Sequence, residues 1–170
     1  MPDKDVELSD QAFALFTGSE QDRKDIIAIH RAYLDANTNN LNAAELRKIW
    51  SDHPSCVFFN GTGYNYYGID DWLKLWEYYR PRVKIVEPWQ SSDVRLIGDG
   101  RIAVVTSIRN ARGQWTGEGQ PPDWTLKRWR SRCTEVFSKD GWQWKCVHIH
   151  ISTEPEGQRH EQQRDAWEAV

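Results

Sequence analysis

Four long extended runs dominate the second half of this chain, at about residues 83–97, 101–113, 125–138 and 142–152, and they limit its fold more than any other feature. Gly98-Asp99-Gly100 separates the first two runs, Asp140-Gly141 the last two, and Gly117 to Pro122 the middle pair. Strands of about ten or more residues joined by turns this tight pair antiparallel, because parallel neighbours need a long crossover. Strands of that length also twist, so the sheet is expected to curve. Ahead of them the pattern is helical. Ser19 opens a helix with Asp22 three residues on as a capping carboxylate. Ile26, Ile27, Ile29, Tyr33 and Leu34 recur at helical spacing, which sets His30, Tyr33 and Asn37 on one stripe. The helix is expected to fade in Asn37-Thr38-Asn39-Asn40, and a second, short one to run from about Ala43 to Trp50. Cys56 to Phe59 reads as a buried strand, followed by the turn Gly61-Thr62-Gly63 and then Tyr64-Asn65-Tyr66-Tyr67. A third helix starts at Asp70-Asp71 and stops before Pro81. Helices first and meandering strands afterwards is an α+β order, with the helices on one face of the sheet.

The length of 170 residues suits one domain, and 39% hydrophobic with 28% charged residues excludes a disordered chain. No apolar run approaches the ~20 residues of a spanning helix, and Met1-Pro2-Asp3-Lys4-Asp5 lacks the basic and apolar pattern of a signal peptide. Cys56, Cys133 and Cys146 are odd in number and unrelated in spacing, which does not suggest a disulfide framework; a reduced, cytoplasmic domain is expected. The expected divisions are a lead-in over 1–22, the domain over 23–152, and an acidic tail over 153–170 with a short helix ending near Trp167. Residues 1–25 carry 3 basic and 7 acidic side chains, residues 153–170 carry 2 and 5, and the body between them 17 and 13. A body of +4 is too weakly basic for nucleic acid, whose nonspecific affinity needs many phosphate contacts, yet it suits a cavity for a phenolate, carboxylate or developing oxyanion. Ten Trp among 21 aromatic residues exceed what a core requires and point to cavity walls or a subunit interface.

The closing segments carry a resemblance. Arg132-Cys133-Thr134-Glu135-Val136-Phe137, Asp140-Gly141, Trp144 and Val147-His148-Ile149-His150-Ile151-Ser152 resemble the closing hairpin of SnoaL-like proteins of the nuclear-transport-factor-2-like superfamily. The two early helices, Phe59-Asn60-Gly61 and Tyr67-Gly68 are similar as well, so the likeness spans about 23–152. It implies a cone-shaped antiparallel sheet closed by N-terminal helices, in the manner of a cystatin-like α+β barrel, and the superfamily's habit of forming homodimers. It leaves activity open, since enzymes and noncatalytic hubs share the fold. Against ketosteroid isomerases, Tyr33 takes the place of the oxyanion-binding tyrosine, whereas the catalytic aspartates fall near Phe59 or Asn60 and near Cys133. Against scytalone dehydratase, Arg128 and Glu87 or Pro88 stand where its pocket histidines are. Against the hub domain of calcium/calmodulin-dependent kinase II, Arg109 matches a pocket arginine and Glu135 and Ile151 replace two others.

If the Arg109 match holds, strand alternation turns Ser107, Arg109 and Ala111, then Cys133, Glu135 and Phe137, then Val147, Ile149 and Ile151, toward the cavity. The candidate catalytic set is Tyr33 as donor to a substrate oxygen, Arg109 as anion holder, Glu135 and His30 as proton carriers, and Glu87 as a second carboxylate. The candidate substrate-binding set is Trp50, Asn60, Tyr64, Tyr66, Trp89, Trp124, Ile149 and Ile151, with Tyr67 as a further aromatic wall. His148 and His150 share a strand face with Cys146; whether that face looks into the cavity or out to an interface is left open. Two imidazoles there are too few for a closed metal site, and no metal is expected. The run Lys127-Arg128-Trp129-Arg130-Ser131-Arg132 alternates within a strand, which puts its arginines on a solvated or interface face.

No Gly-rich phosphate cradle is present, so no nucleotide cofactor is expected and side chains must do the chemistry. Three functions are compatible with this. The first is a cofactor-independent lyase acting on a small aromatic, phenolic substrate by acid/base chemistry, with loss of water or formaldehyde. In its Trp-rich character and missing isomerase aspartates the chain is similar to bacterial diarylpropane lyases, which release formaldehyde from lignin-derived phenolic diols. The second is a noncatalytic dimeric ligand-binding or oligomerisation module. The third is an isomerase or cyclase of a steroid- or polyketide-like ketone. The expected partners are a small aromatic molecule and a second copy of the chain, with no nucleic acid and no membrane.

Overall fold

The computed structural model describes residues 8–39, 42–119 and 127–153. The helical first half resolves into α1 (Glu20–Thr38), α2 (Ala43–Ile49) and α3 (Gly68–Tyr79), with short strands β1 (Leu15–Phe16), β2 (Val57–Phe59) and β3 (Asn65–Tyr67) between and before them. The long strands are β4 (Val83–Gly98), β5 (Ile102–Trp115), β6 (Lys127–Asp140) and β7 (Gln143–Thr153). All seven strands form one curved sheet in the order β1-β4-β5-β6-β7-β2-β3. The fold is the α+β arrangement expected from the sequence.

Local chemistry explains the boundaries. Ser19 and Asp22 form a reciprocal capping box, with the Asp22 amide donating to Ser19 Oγ at 3.1 Å and the Ser19 amide donating to Asp22 Oδ2 at 3.2 Å. Asp22 also accepts from Lys139 Nζ at 2.6 Å and Trp144 Nε1 at 2.9 Å, so one carboxylate ties the start of α1 to the β6–β7 hairpin. At the β4–β5 turn Gly98 has φ +133°, and a Cβ there would fall 2.3 Å from the Ile102 carbonyl, which requires glycine. Three register shifts along β4, together with the positive φ of Asp93 (48°), bend this strand over the helices.

The concave face buries the odd positions of β5 from Ala103 to Ala111, matched by Ser131, Cys133, Glu135 and Phe137 of β6. Against it pack Ile26, Tyr33, Leu46 and Ile49 and a tight aromatic cluster of Trp50, Phe58, Trp72 and Trp76. Two elements go beyond the sequence expectation. The lead-in contributes β1, which runs parallel to the end of β4, and Tyr64 to Tyr67 contain a strand that returns antiparallel along β2. Helix α3 begins at Gly68, two residues before the Asp70-Asp71 start expected, and Asp71 Oδ2 accepts from the Tyr67 amide at 3.0 Å. The final helix expected near Trp167 lies outside the described residues, and none of the described helices is long and apolar enough to cross a membrane.

Candidate functional site

Helix α1 lies across the concave face, and its buried stripe delivers His30, Tyr33 and Asn37 to the sheet. The sheet meets it with a charged pair. Arg109 of β5 and Glu135 of β6 both point inward, and Arg109 Nη2 donates to Glu135 Oε2 at 2.7 Å. His30 Nδ1 lies 2.5 Å from the same oxygen, and its Nε2 lies 3.0 Å from Ser91 Oγ of β4. A chain of contacts therefore runs from half-buried Ser91 through His30 and Glu135 to Arg109. The Arg109 guanidinium also sits over the Tyr33 ring, 4.5 Å from its centroid, an arrangement that favours the cation.

Burial alone would push Glu135 up, but Arg109 and then His30 outweigh it and hold the carboxyl below its ordinary range. Burial likewise works against the charge on Arg109. Cys133 and Glu135 oppose that effect; because the Cys133 thiol is itself pushed up to about 12 by burial, Glu135 supplies the negative charge at neutral pH. Burial raises the Tyr33 hydroxyl far above its ordinary value, with Arg109 pulling the other way, so it is a neutral phenol able to donate.

Above this cluster opens a cavity of about 690 Å³, of the size that takes a drug-sized ligand. Tyr33 and Arg109 are in its lining; Glu135 and His30 are not, and lie behind Arg109. The walls include Trp76, Trp89, Trp129 and Tyr79. Trp89 and Trp129 stack with ring centroids 5.6 Å apart and planes 14° from parallel. Trp129 also covers Gly113, where a Cβ would fall 2.2 Å from its ring. No Asp, Glu or His occurs among the described residues of the lining. Several buried polar atoms of its residues have no hydrogen-bond partner: Trp76 Nε1, Trp89 Nε1, Arg109 Nε and Ser131 Oγ.

The structure therefore gathers Tyr33, Arg109, Glu135 and His30 at one place, and brings Asn60, Trp89 and Ile151 to the cavity wall. Asn60 Oδ1 also accepts from the Thr62 amide and hydroxyl, shaping the turn at the rim. The other candidates lie elsewhere. Glu87 falls beside bulges in β4, is exposed, and accepts from Arg112 Nη1 at 2.7 Å, so it adds no second carboxylate to the cavity. Trp50 and Ile149 are buried in the hydrophobic core and do not line the cavity. Tyr66 packs its ring against Trp72, while Tyr64 and Tyr67 are exposed on the β2–β3 hairpin. Trp124 lies outside the described residues.

The face left open for the β7 histidines is the outer one. His148 Nδ1 bonds the Val57 carbonyl at 2.6 Å, and both imidazoles meet the exposed Phe59 edge to face. A bulge at Val136/Phe137 breaks the alternation, so Cys146 turns inward and does not share their face as the spacing implied. Arg128 and Arg130 border the cavity rim but lie at exposed positions of β6, while Lys127 precedes Trp129 and Ser131 on the inward alternation. The sequence reading missed Ser91, Ser131 and Trp129. Strand pairing alone reveals two of them, since Ser91 and Ser131 flank Arg109 across the ladder.

A family model described as SnoaL-like domain matches residues 26–155. No curated protein matches the chain significantly. Solved structures of similar fold include a protein from Novosphingobium aromaticivorans described as a candidate aromatic ring hydroxylase, 14% identical, with a TM-score of 0.67 over 81% of this chain and 92% of that one. A cystatin-like-fold protein from Caulobacter vibrioides is 15% identical, with a TM-score of 0.64 over 88% and 99%. A candidate dehydratase of the NTF2-like family from Streptomyces avermitilis is 18% identical, with a TM-score of 0.63 over 79% and 97%. At these identities the likeness is one of fold.

Proposed function

The chain belongs to the SnoaL-like domain family, whose fold hosts many chemistries, and from its own site we propose that it is a cofactor-independent lyase removing an oxygen-bearing fragment from a small aromatic substrate. One observation carries this reading. The charged groups of the described cavity lining are all cations, Arg109 among them beside the Tyr33 phenol, and the one carboxylate of the cluster is bound to Arg109 outside the lining. Enolisation by an isomerase needs a base against the substrate carbon. Expulsion of an oxygen leaving group instead needs a proton donor and a cation to stabilise the charge that develops.

Tyr33 fits the donor role. Its phenol gives a proton to the departing oxygen, and Arg109 over its ring offsets part of the burial cost of the tyrosinate that results. Glu135 and His30 are positioning residues, holding the guanidinium in place. For a phenolic benzylic 1,3-diol, the substrate phenolate expels the benzylic hydroxyl as water and leaves a quinone methide. The terminal carbinol O–H then returns its proton to Tyr33, the carbon–carbon bond breaks, and its electron pair restores the aromatic phenolate. The products are one alkene, one water and one formaldehyde, and Tyr33 ends as it began.

Incubation with phenolic diaryl diols, free of added metal or nucleotide, tests this. Equal amounts of alkene and formaldehyde are expected, together with a fall of about 10²-fold or more in kcat for Tyr33→Phe. Solvent-deuterium exchange into enolisable ketones without formaldehyde would instead mark an isomerase. Quenching of Trp fluorescence with no product from any substrate would mark a binding module.

A further inference from the structure

Arg109 and Ser131 stand directly opposite each other on β5 and β6, both inward and both more than nine-tenths buried. Arg109 spends Nη2 on Glu135, yet its Nε has no partner, and neither does Ser131 Oγ. A buried donor left without an acceptor costs about 1–3 kcal/mol, and here two such groups sit on adjacent strands, on residues that line one cavity. The indole Nε1 atoms of Trp76 and Trp89, also buried without partners, extend this donor set along the wall. Lys127, Arg128 and Arg130 are further cations of the described lining, which contains no acidic residue.

We infer that Arg109 and Ser131 together seat a carboxylate of the ligand, so that the preferred substrate is a phenolic diol whose aromatic skeleton also carries a carboxylate. This rests on reading the cavity as the substrate site and specifies what that site selects. A phenolate or alcohol presents one oxygen, whereas a carboxylate presents two oxygens with about four lone-pair directions, enough for a guanidinium N–H and a neighbouring hydroxyl at once. The stacked Trp89–Trp129 pair gives the ring an apolar wall beside that anchor. Tyr33 lies against a face of the guanidinium, whereas a carboxylate meets its edge, so the phenol can still serve the leaving oxygen.

Three ligands of one skeleton separate the possibilities: 3-phenylpropionate, 3-phenylpropanol and 3-phenylpropylamine, titrated against the full chain by Trp fluorescence at neutral pH. The carboxylate is expected to bind about tenfold or more tighter than the alcohol, with the amine weakest. Ser131→Ala, which removes one hydroxyl and leaves the ion pair intact, is expected to reduce that preference several-fold while the alcohol's affinity stays within twofold. Arg109→Lys keeps the charge but loses the fork, and is expected to abolish most of the preference. Equal binding of carboxylate and alcohol would overturn the carboxylate seat and leave the aromatic cavity standing. Binding of none of the three would overturn the cavity as an aromatic site as well. A preference that survives both substitutions would place the anion elsewhere and overturn the assignment.

Discussion

Replacing Glu135 by Gln tests the core of the site, because it keeps the shape and removes the charge. Arg109 and Glu135 have side chains 3% and 0% exposed, with N and O 2.7 Å apart. At an effective dielectric of about 20 their attraction is about 6 kcal/mol, and burying two ions costs several kcal/mol each. The intact pair is therefore close to break-even. Removing one partner is not, since it strands a buried guanidinium, and the expected loss is about 3–5 kcal/mol. For a chain of 170 residues that lowers Tm by about 6–20 °C. The double variant Arg109→Met, Glu135→Leu fills the same space without charge and is expected to recover most of the loss. Urea unfolding of the wild type, Glu135→Gln and the double variant, with m-values checked for constancy, compares the three. A loss below about 1 kcal/mol for Glu135→Gln, or a double variant no more stable than the single, would show that the pair is not the dry, mutually dependent unit argued above.

Acid should weaken the fold through two carboxylates. Glu135 and Asp22 are both held below their ordinary range in the folded chain, so their contribution is complete above the unfolded carboxylate range of about pH 4 and is lost as pH falls below it; urea midpoints should drop between pH 5 and 3, with a shallower slope for Asp22→Asn. Glu87→Ala removes only an exposed pair with Arg112 and should change stability by less than about 1 kcal/mol and turnover not at all, as read by urea midpoint and kcat. Gly113→Ala should force the Trp129 ring off its stack with Trp89, at a cost of about 1–3 kcal/mol; ligand titration by Trp fluorescence should then show weaker aromatic binding, and unchanged affinity would dissociate that stack from recognition.

The parts legible in the sequence are those set by local periodicity and turn chemistry. The Ser19–Asp22 box, the Gly98 turn and the alternation of β5 each depend on residues a few positions apart, and each reappears where expected. The edges of the sheet depended on distant pairing. Leu15-Phe16 is too short to show a strand period, and becomes a strand only because the end of β4 offers it a partner. Glu87 failed for a related reason: its place came from the family likeness, and the structure breaks its strand at three bulges, where each extra residue turns the following side chains to the other face. Cys146 was lost across the bulge in β6–β7 by the same arithmetic.

The candidate site itself was half legible, and the missing half changes the chemistry. Strand faces bring Arg109 and Glu135 inward, and helix spacing brings His30 and Tyr33 together, but neither gives depth. Depth decides the roles here. Glu135 was a candidate base by residue type, yet it is bound to Arg109 outside the lining, so the group that borders the cavity is the cation. His30, with Glu135 on one nitrogen and Ser91 on the other, is likewise committed to holding the cluster. The same four residues, stacked in the reverse order, would present a base to the cavity and argue for enolisation. In the order found, they present a fixed positive charge and a neutral phenol, which is what the proposed expulsion of an oxygen requires.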